Sequence, residues 1–509
     1  MIQPIEPSGF LDTFATVDEA LANFFSAVYS NPLEMNVIYL LLAVGIYYTY
    51  KTKAVQFRML PAMFSAVFGS RRDAEEGISS FQAFTIGLAS RVGTGNIAGV
   101  AIAIVLGGPG AIFWMWVIAL LGMATAFMES VLAQLFKLQG PDGSFRGGPA
   151  YYIRDGLGSK GFGALFAIFL IFAFGFAFNM VQANTIADVA QAHFNIDSWI
   201  VGLALVIISA PIIFGGLRTV ARIAEYVAPA MAIFYILIAI AVIGINITAV
   251  PSVIWEIIRS AFGFDQAAGG AVGGFIAAMT NGAKRGLFSN EAGMGSVPNA
   301  AATATIRHPV QQGLIQSLGV FVDTILICTA TACMILFSGL YKPGMSANDG
   351  AALTVESVSY TLGTWIQLPM TIMIFIFAYS SILGNYTYAE INLNYLRGMN
   401  ANQTVLKVLI LIAVGLGSLL SIRSVWNLAD IASALMAILN IFALFLLSKY
   451  CLGALRDWNA QRAKNPNEVP FFVVTDNEFF PDGLPSQVWD ADTRKDSIAL
   501  ARKNDKMRG

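Results

Sequence analysis

The chain has 509 residues, 56% of them hydrophobic and only 12% charged, with a formal net charge of −1. Soluble domains carry about 25% charged residues, so most of this surface must face something apolar, and no basic tract points to nucleic acid. Three cysteines give no disulfide framework, and two histidines cannot build the His/Cys metal cluster of a membrane-embedded metalloenzyme.

Residues 1–35 contain no Lys or Arg, so the basic n-region of a signal peptide is missing, and they are expected as an extracytoplasmic segment. A bilayer core takes about 20 apolar residues as helix. Segments of that character lie at 36–50, 81–106, 111–136, 161–191, 199–215, 223–246, 274–306, 310–337, 367–395, 406–422 and 429–450. The expected fold class is therefore an all-α polytopic membrane protein with 11 transmembrane helices in a domain spanning 36–450. Lys and Arg orient it. With the N-terminus outside, the inside segments hold 24 of the 30 basic residues, and the outside keeps only Arg259, Lys342 and Arg423. A multi-pass protein of the cytoplasmic membrane is expected. Its polar tail, 451–509, carries Pro466, Pro470, Pro481 and Pro485 and is expected in the cytoplasm, partly disordered.

Two glycine-rich stretches echo each other. Residues 87–100 read GLASRVGTGNIAGV and residues 286–297 read GLFSNEAGMGSV. The first falls in the second span and the other in the seventh, so they run through the membrane in opposite directions. Leaving the first span aside, the chain divides into inverted halves, 81–246 and 274–450. Glycine-interrupted helices in matching places of two such halves point to a transporter site between them. Gly93 to Asn96 sits in mid-span, where unpaired backbone groups are normally forbidden, so a break there needs a ligand or ion. Close helix packing through small residues would explain the glycines but not Asn96.

Residues 107–122 follow as GGPGAIFWMWVIALLG, with the unusual core Phe113-Trp114-Met115-Trp116. Together with Gly-Thr-Gly-Asn-Ile-Ala-Gly before it and Lys-Arg-Gly-Leu-Phe-Ser-Asn-Glu-Ala-Gly-Met-Gly-Ser later, it resembles the alanine/glycine:cation symporters, the sodium:alanine symporter family. The resemblance covers roughly residues 30 to 455. It implies a LeuT-type five-plus-five inverted repeat with one extra N-terminal helix. The activity implied is secondary active symport of a small neutral amino acid, alanine or glycine, with Na⁺ or alternatively H⁺ as coupling ion.

An interrupted helix serves a zwitterion well. N–H groups opening its second half face an anion, and carbonyls closing the first half face a cation. Gly93, Thr94, Gly95 and Asn96 are expected to hold the substrate carboxylate, with the Thr94 hydroxyl and the Asn96 amide assisting. The carbonyls of Ala292, Gly293, Met294 and Gly295 are expected to accept from its ammonium. Gln182 and Asn179 are either substrate contacts or packing glue, and Phe178 and Trp426 either limit the pocket or fill the core. In LeuT-type transporters a hydroxyl pair, the carbonyl three residues earlier and two carbonyls before the first break bind sodium. Carried over, the resemblance gives Ala89, Val92, Phe377, Ser380 and Ser381. Arg91 and Glu291 are expected as a gate or structural pair. The other ionisable residues inside spans, Asp323 and Glu129 among them, keep proton coupling open. A channel is the reading from another class. An ATP-driven pump is disfavoured because no Gly-x-x-x-x-Gly-Lys-Ser/Thr loop occurs. No enzyme activity and no organic cofactor are expected, and oligomeric state is not readable.

Overall fold

The computed structural model describes residues 8–28, 31–69, 78–140, 143–263, 271–347, 350–398, 401–466 and 468–492. Almost everything is helix. In chain order the main elements are α1 (Ser8–Val28), α2 (Asn31–Lys51), α3 (Ser80–Arg91), α4 (Gly95–Gly107), α5 (Ala111–Leu135), α6 (Lys160–Phe194), α7 (Ser198–Phe214) and α8 (Leu217–Ile245). They continue as α9 (Ala271–Asn290), α10 (Val297–Thr303), α11 (Pro309–Ser338), α12 (Gln367–Arg397), α13 (Thr404–Gly417) and α14 (Ile422–Lys464). Sheet is confined, among the described residues, to Leu138–Gln139 paired antiparallel with Phe145–Arg146.

Six of these helices are long and apolar enough to cross a membrane, or seven if the bent pair α3 and α4 is one span. The chain is thus an all-helical polytopic membrane protein. Large apolar side chains such as Phe234, Leu237 and Ile240 on α8 point outward, which suits lipid and not water. Not all of the eleven expected spans are of that kind. At 1.5 Å per residue, α7 and α13 reach only about 26 Å and 21 Å, short of a core of about 30 Å.

Both expected interruptions are present. Ser79 and Gln82 close a reciprocal capping box that starts α3. That helix ends at Arg91, and α4 leaves it at an angle of 50°. The second interruption separates α9 from α10 over residues 291–296. The two broken helices pack against each other antiparallel, α3 against α10 and the start of α4 against α9. At one end Ile78 bridges Ala304, and Thr305 N–H donates to Ile78 O at 3.0 Å.

Both flanks carry structure that the sequence reading did not assign. The N-terminal segment contains α1, which lies along α14: Asp18 Oδ2 accepts from Ser421 N–H at 3.1 Å and Asp18 O from Ser424 Oγ at 3.1 Å. The last helix does not stop near 450 but runs to Lys464, because its Asp457 and Trp458 find partners in His308. The chain from 468 to 492 then folds back with Phe472, Phe480 and Trp489 buried. Residues 493–509 of the expected tail lie outside the described residues.

Candidate functional site

Val92 closes α3 with φ −78° and ψ 89°, which turns its carbonyl off the helix axis. The freed groups are caught by side chains from three directions. Asn96 Oδ1 accepts from Gly93 N–H at 2.9 Å, and Gln182 Oε1 on α6 accepts from Thr94 N–H at 3.2 Å. Ser381 Oγ on α12 donates to Ala89 O at 3.0 Å, with Phe377 O also 3.1 Å away. Only glycine fits at 93, since a Cβ there would run into Ser381 Oγ. At Gly95 it would lie 3.0 Å from the Phe288 ring and 3.1 Å from Ser289 Cα. Backbone and helix neighbours meet here at the closest approach glycine allows.

Of the expected sodium ligands, Ala89, Phe377 and Ser381 converge at one point beside Val92. Ser380 Oγ bonds to Phe377 O at 2.9 Å and faces Met231 Sδ at 3.5 Å, so its hydroxyl stays on its own helix. These are hard oxygens at a helix break, the donor set a monovalent cation needs. The Thr94 hydroxyl is fully buried and, among the described residues, has no protein partner. A buried hydroxyl without a partner is costly, so this atom fits one that serves a ligand.

The Asn96 amide has other work than expected. While its oxygen holds Gly93 N–H, its Nδ2 donates to Asp323 Oδ1 at 2.6 Å. Asn179 stands one layer back: its Oδ1 accepts from Asn385 Nδ2 at 3.0 Å, and Asn385 Oδ1 accepts from Ser90 Oγ at 3.0 Å.

The expected ammonium acceptors at 292–295 face elsewhere. Glu291, Gly293 and Gly295 all have positive φ, at 58°, 89° and 80°, and these left-handed steps turn the chain towards α5 and α14. Gly293 sits against Leu41 and Thr125, and Gly295 against Pro149 and Asn440. Glu129 on α5 accepts Gly293 N–H at 3.2 Å, and Asn440 donates to Gly293 O at 2.9 Å and to Glu129 Oε2 at 2.8 Å. The residues of the second broken helix that meet the first break are instead Phe288 and Ser289, at the end of α9. No spacing rule in the sequence marks them; the glycine echo drew attention one turn too far along.

Arg91 and Glu291 do not form an ion pair among the described residues. Arg91 Nη1 donates to Gln316 O at 3.1 Å, and Glu291 accepts from Ser90 Oγ at 2.7 Å and Ser296 Oγ at 2.6 Å. Glu291 is adjacent in sequence to the turn it stabilises, which explains its choice of short-range hydroxyl donors.

Trp426 does join the site, 3.4 Å from where a Cβ on Gly99 would stand. It begins an aromatic stack, with ring centres 4.6 Å from Trp426 to Phe288, 4.4 Å from Phe288 to Phe178 and 4.5 Å from Phe178 to Phe174. This stack borders the break.

The sequence profile of the sodium:alanine symporter family matches residues 18–472. Among individual proteins, a probable sodium/glutamine symporter of Bacillus subtilis is 47% identical over 443 residues, 87% of this chain and 91% of that one. A sodium/alanine symporter of Methanococcus maripaludis is 40% identical over 440 residues, 84% of this chain and 96% of the relative. A putative sodium/proton-dependent alanine carrier protein of Bacillus subtilis is 42% identical over 466 residues, covering 88% and 94%.

Proposed function

Because this chain belongs to the sodium:alanine symporter family, we propose that it takes up a small neutral amino acid, alanine or glycine foremost, together with sodium. The observation that carries this reading is the first helix break. There Ser381, Phe377 and Ala89 gather oxygens on one side, and the unpartnered Thr94 hydroxyl stands on the other. Sodium takes the carbonyls of Ala89, Val92 and Phe377 and the hydroxyl of Ser381, with Ser380 beside it. The substrate carboxylate takes Thr94 Oγ1 and the N–H groups opening α4.

The aromatic stack of Phe178, Phe288 and Trp426 favours a small side chain over a long one. The antiparallel packing of the two broken helices fits inverted halves of the LeuT type, moving by alternating access. For orientation, the basic-residue split puts the end that carries Lys51, Lys137 and Arg307 in the cytoplasm. The contact of Lys137 Nζ with Ala304 O at 2.8 Å fits these segments sharing one face.

The test is uptake of labelled alanine into proteoliposomes at fixed pH, in sodium and then in choline, with counterflow against internal unlabelled alanine. A carrier of this kind needs sodium and exchanges faster than it accumulates. Uptake that ignores sodium but follows a pH gradient would move the coupling ion to the proton. Competition by glutamine stronger than by alanine or glycine would move the substrate.

A further inference from the structure

Glu291 opens the second helix break in the left-handed region, at φ 58°, and its side chain is buried. Its carboxyl meets two hydroxyls, Ser90 Oγ of α3 at 2.7 Å and Ser296 Oγ, at the far end of the break, at 2.6 Å. Ser90 Oγ also lies 3.0 Å from Asn385 Oδ1 on α12. Two acceptor oxygens thus flank one hydroxyl, and a serine has a single hydrogen to donate.

Which oxygen receives that hydrogen follows from a chain of bonds that ends on the backbone. The Gly175 carbonyl can only accept, so the Asn179 amide turns its Nδ2 to it, at 3.2 Å. Asn179 then presents Oδ1 to Asn385, whose Nδ2 donates to it at 3.0 Å. Asn385 Oδ1 is left facing Ser90, and the Ser90 hydrogen goes there. The 2.7 Å contact between Ser90 Oγ and Glu291 Oε1 still needs a hydrogen between its two oxygens. The carboxyl is the only place left for it. Glu291 is therefore the neutral acid, donating from Oε1 to Ser90 Oγ and accepting from Ser296 Oγ on Oε2.

Arg91 gives the same answer independently. It follows Ser90 in the chain, is buried and acts electrostatically on Glu291, yet the two form no ion pair among the described residues. Its Nη1 donates to Gln316 O at 3.1 Å, while Nε and Nη2 have no partner among the described residues. An ionised carboxylate would draw those two donors in; a neutral one does not. The other titratable groups that face Glu291 are Asp323 from α11 and Tyr388 from α12. Glu129 from α5 stands across the turn, on Gly293 N–H. None of these supplies a positive charge.

We propose that Glu291 is a proton-binding site whose proton latches the two broken helices to α12, and whose loss hands Glu291 over to Arg91. With the proton on, bonds run unbroken from Ser296 through Glu291 and Ser90 to Asn385. With it off, Ser90 can serve Glu291 or Asn385 but not both, and Arg91 offers two donors to the new charge. The proton comes from water and returns to it. This switch is separate from the sodium ligands around Ser381 and from the Thr94 hydroxyl. Its role in uptake rests on the symport reading above; the protonation itself does not.

The experiment uses the full-length protein in two measurements over one pH range. Infrared spectra of the purified protein follow the carbonyl stretch of protonated carboxyls, and proteoliposomes report alanine uptake at saturating sodium. As pH rises, wild type should lose a protonated-carboxyl band and its uptake together. Glu291→Gln, whose amide donates to Ser90 and accepts from Ser296 as the acid does, should lack that band and keep its uptake into the alkaline range. Ser90→Ala fixes the sign, and it decides the matter if Glu291→Gln does not fold. If Ser90 accepts from the acid, its removal weakens the protonated form, and the fall in uptake moves about one pH unit lower. If Ser90 donates to a carboxylate, the fall moves higher.

A shift to higher pH in Ser90→Ala, or none, would overturn the proposal. So would a wild-type infrared band in Glu291→Gln, or an uptake profile there that falls with pH as wild type does. Wild-type uptake that ignores sodium would sink the symport reading and leave the infrared result standing.

Discussion

Arg285 donates to both carboxylate oxygens of Asp430, at 2.6 Å and 2.5 Å, while its guanidinium lies 4.3 Å from the centre of the Trp426 ring. The pair ties α9 to α14 over the aromatic stack that borders the first break. Its members are only 4% and 5% exposed, so removing one strands the other. A buried pair broken from one side costs about 3–5 kcal/mol. Asp430→Ala should lower the thermal midpoint of the purified protein and speed release of bound alanine. Wild-type values for both would mean the pair neither supports the fold nor closes the site.

The Ser381 hydroxyl spans two helices, from α12 to the last turn of α3. In Ser381→Ala the proposed ion loses a ligand while Gly93 to Asn96 keep theirs. The sodium concentration for half-maximal uptake should rise at least several-fold. Because substrate and ion share one broken helix, alanine affinity should fall at low sodium and recover at high sodium. Superimposable sodium curves for variant and wild type would remove Ser381 from the ion site.

Thr94→Val replaces the unpartnered hydroxyl with a methyl of similar size. A hydrogen bond to a charged group contributes about 1.5–3 kcal/mol, so alanine affinity should weaken roughly ten- to a hundred-fold. Yield and thermal midpoint should stay near wild type, since the hydroxyl has no partner to lose among the described residues. A variant with unchanged affinity would take Thr94 out of the site.

The sequence was informative where physics leaves a compositional mark. Apolar runs marked the long helices, and glycines in mid-span marked both breaks, because few other residues tolerate the contacts found at Gly93 or the φ found at Gly293 and Gly295. It was misleading where direction matters. Three left-handed steps rotate 292–295 away from the first break, and no composition reveals that rotation. Phe288 and Ser289 looked like ordinary helix, and the Asn96–Asp323 bond joins residues 227 apart. The tail from 468 to 492 was read as partly disordered for a similar reason: polar, proline-bearing chain looks disordered until its scattered aromatics find a common surface.

That surface yields the last prediction. Trp489 is 1% exposed, its indole N–H donates to Gln134 O at 2.8 Å, and its ring lies 5.4 Å from Phe472 and 5.0 Å from Lys137 Nζ. Ser486 Oγ donates to Lys137 O at 2.8 Å, and Phe472 N–H donates to Arg307 O at 3.0 Å. The segment thereby straps the end of α5 to the turn that leads into α11. Residues 473–492 lie past the stretch matched by the family profile. The strap's work is then expected in stability more than in the transport steps. Truncating a buried Trp to Ala costs about 3–5 kcal/mol, so Trp489→Ala should lower the thermal midpoint clearly. Half-saturation for sodium and for alanine should stay at wild-type values, because none of these contacts touches either helix break. Shifted half-saturation with an unchanged midpoint would mean the opposite: the strap would belong to the moving parts, and its distance from the break would be no measure of its influence.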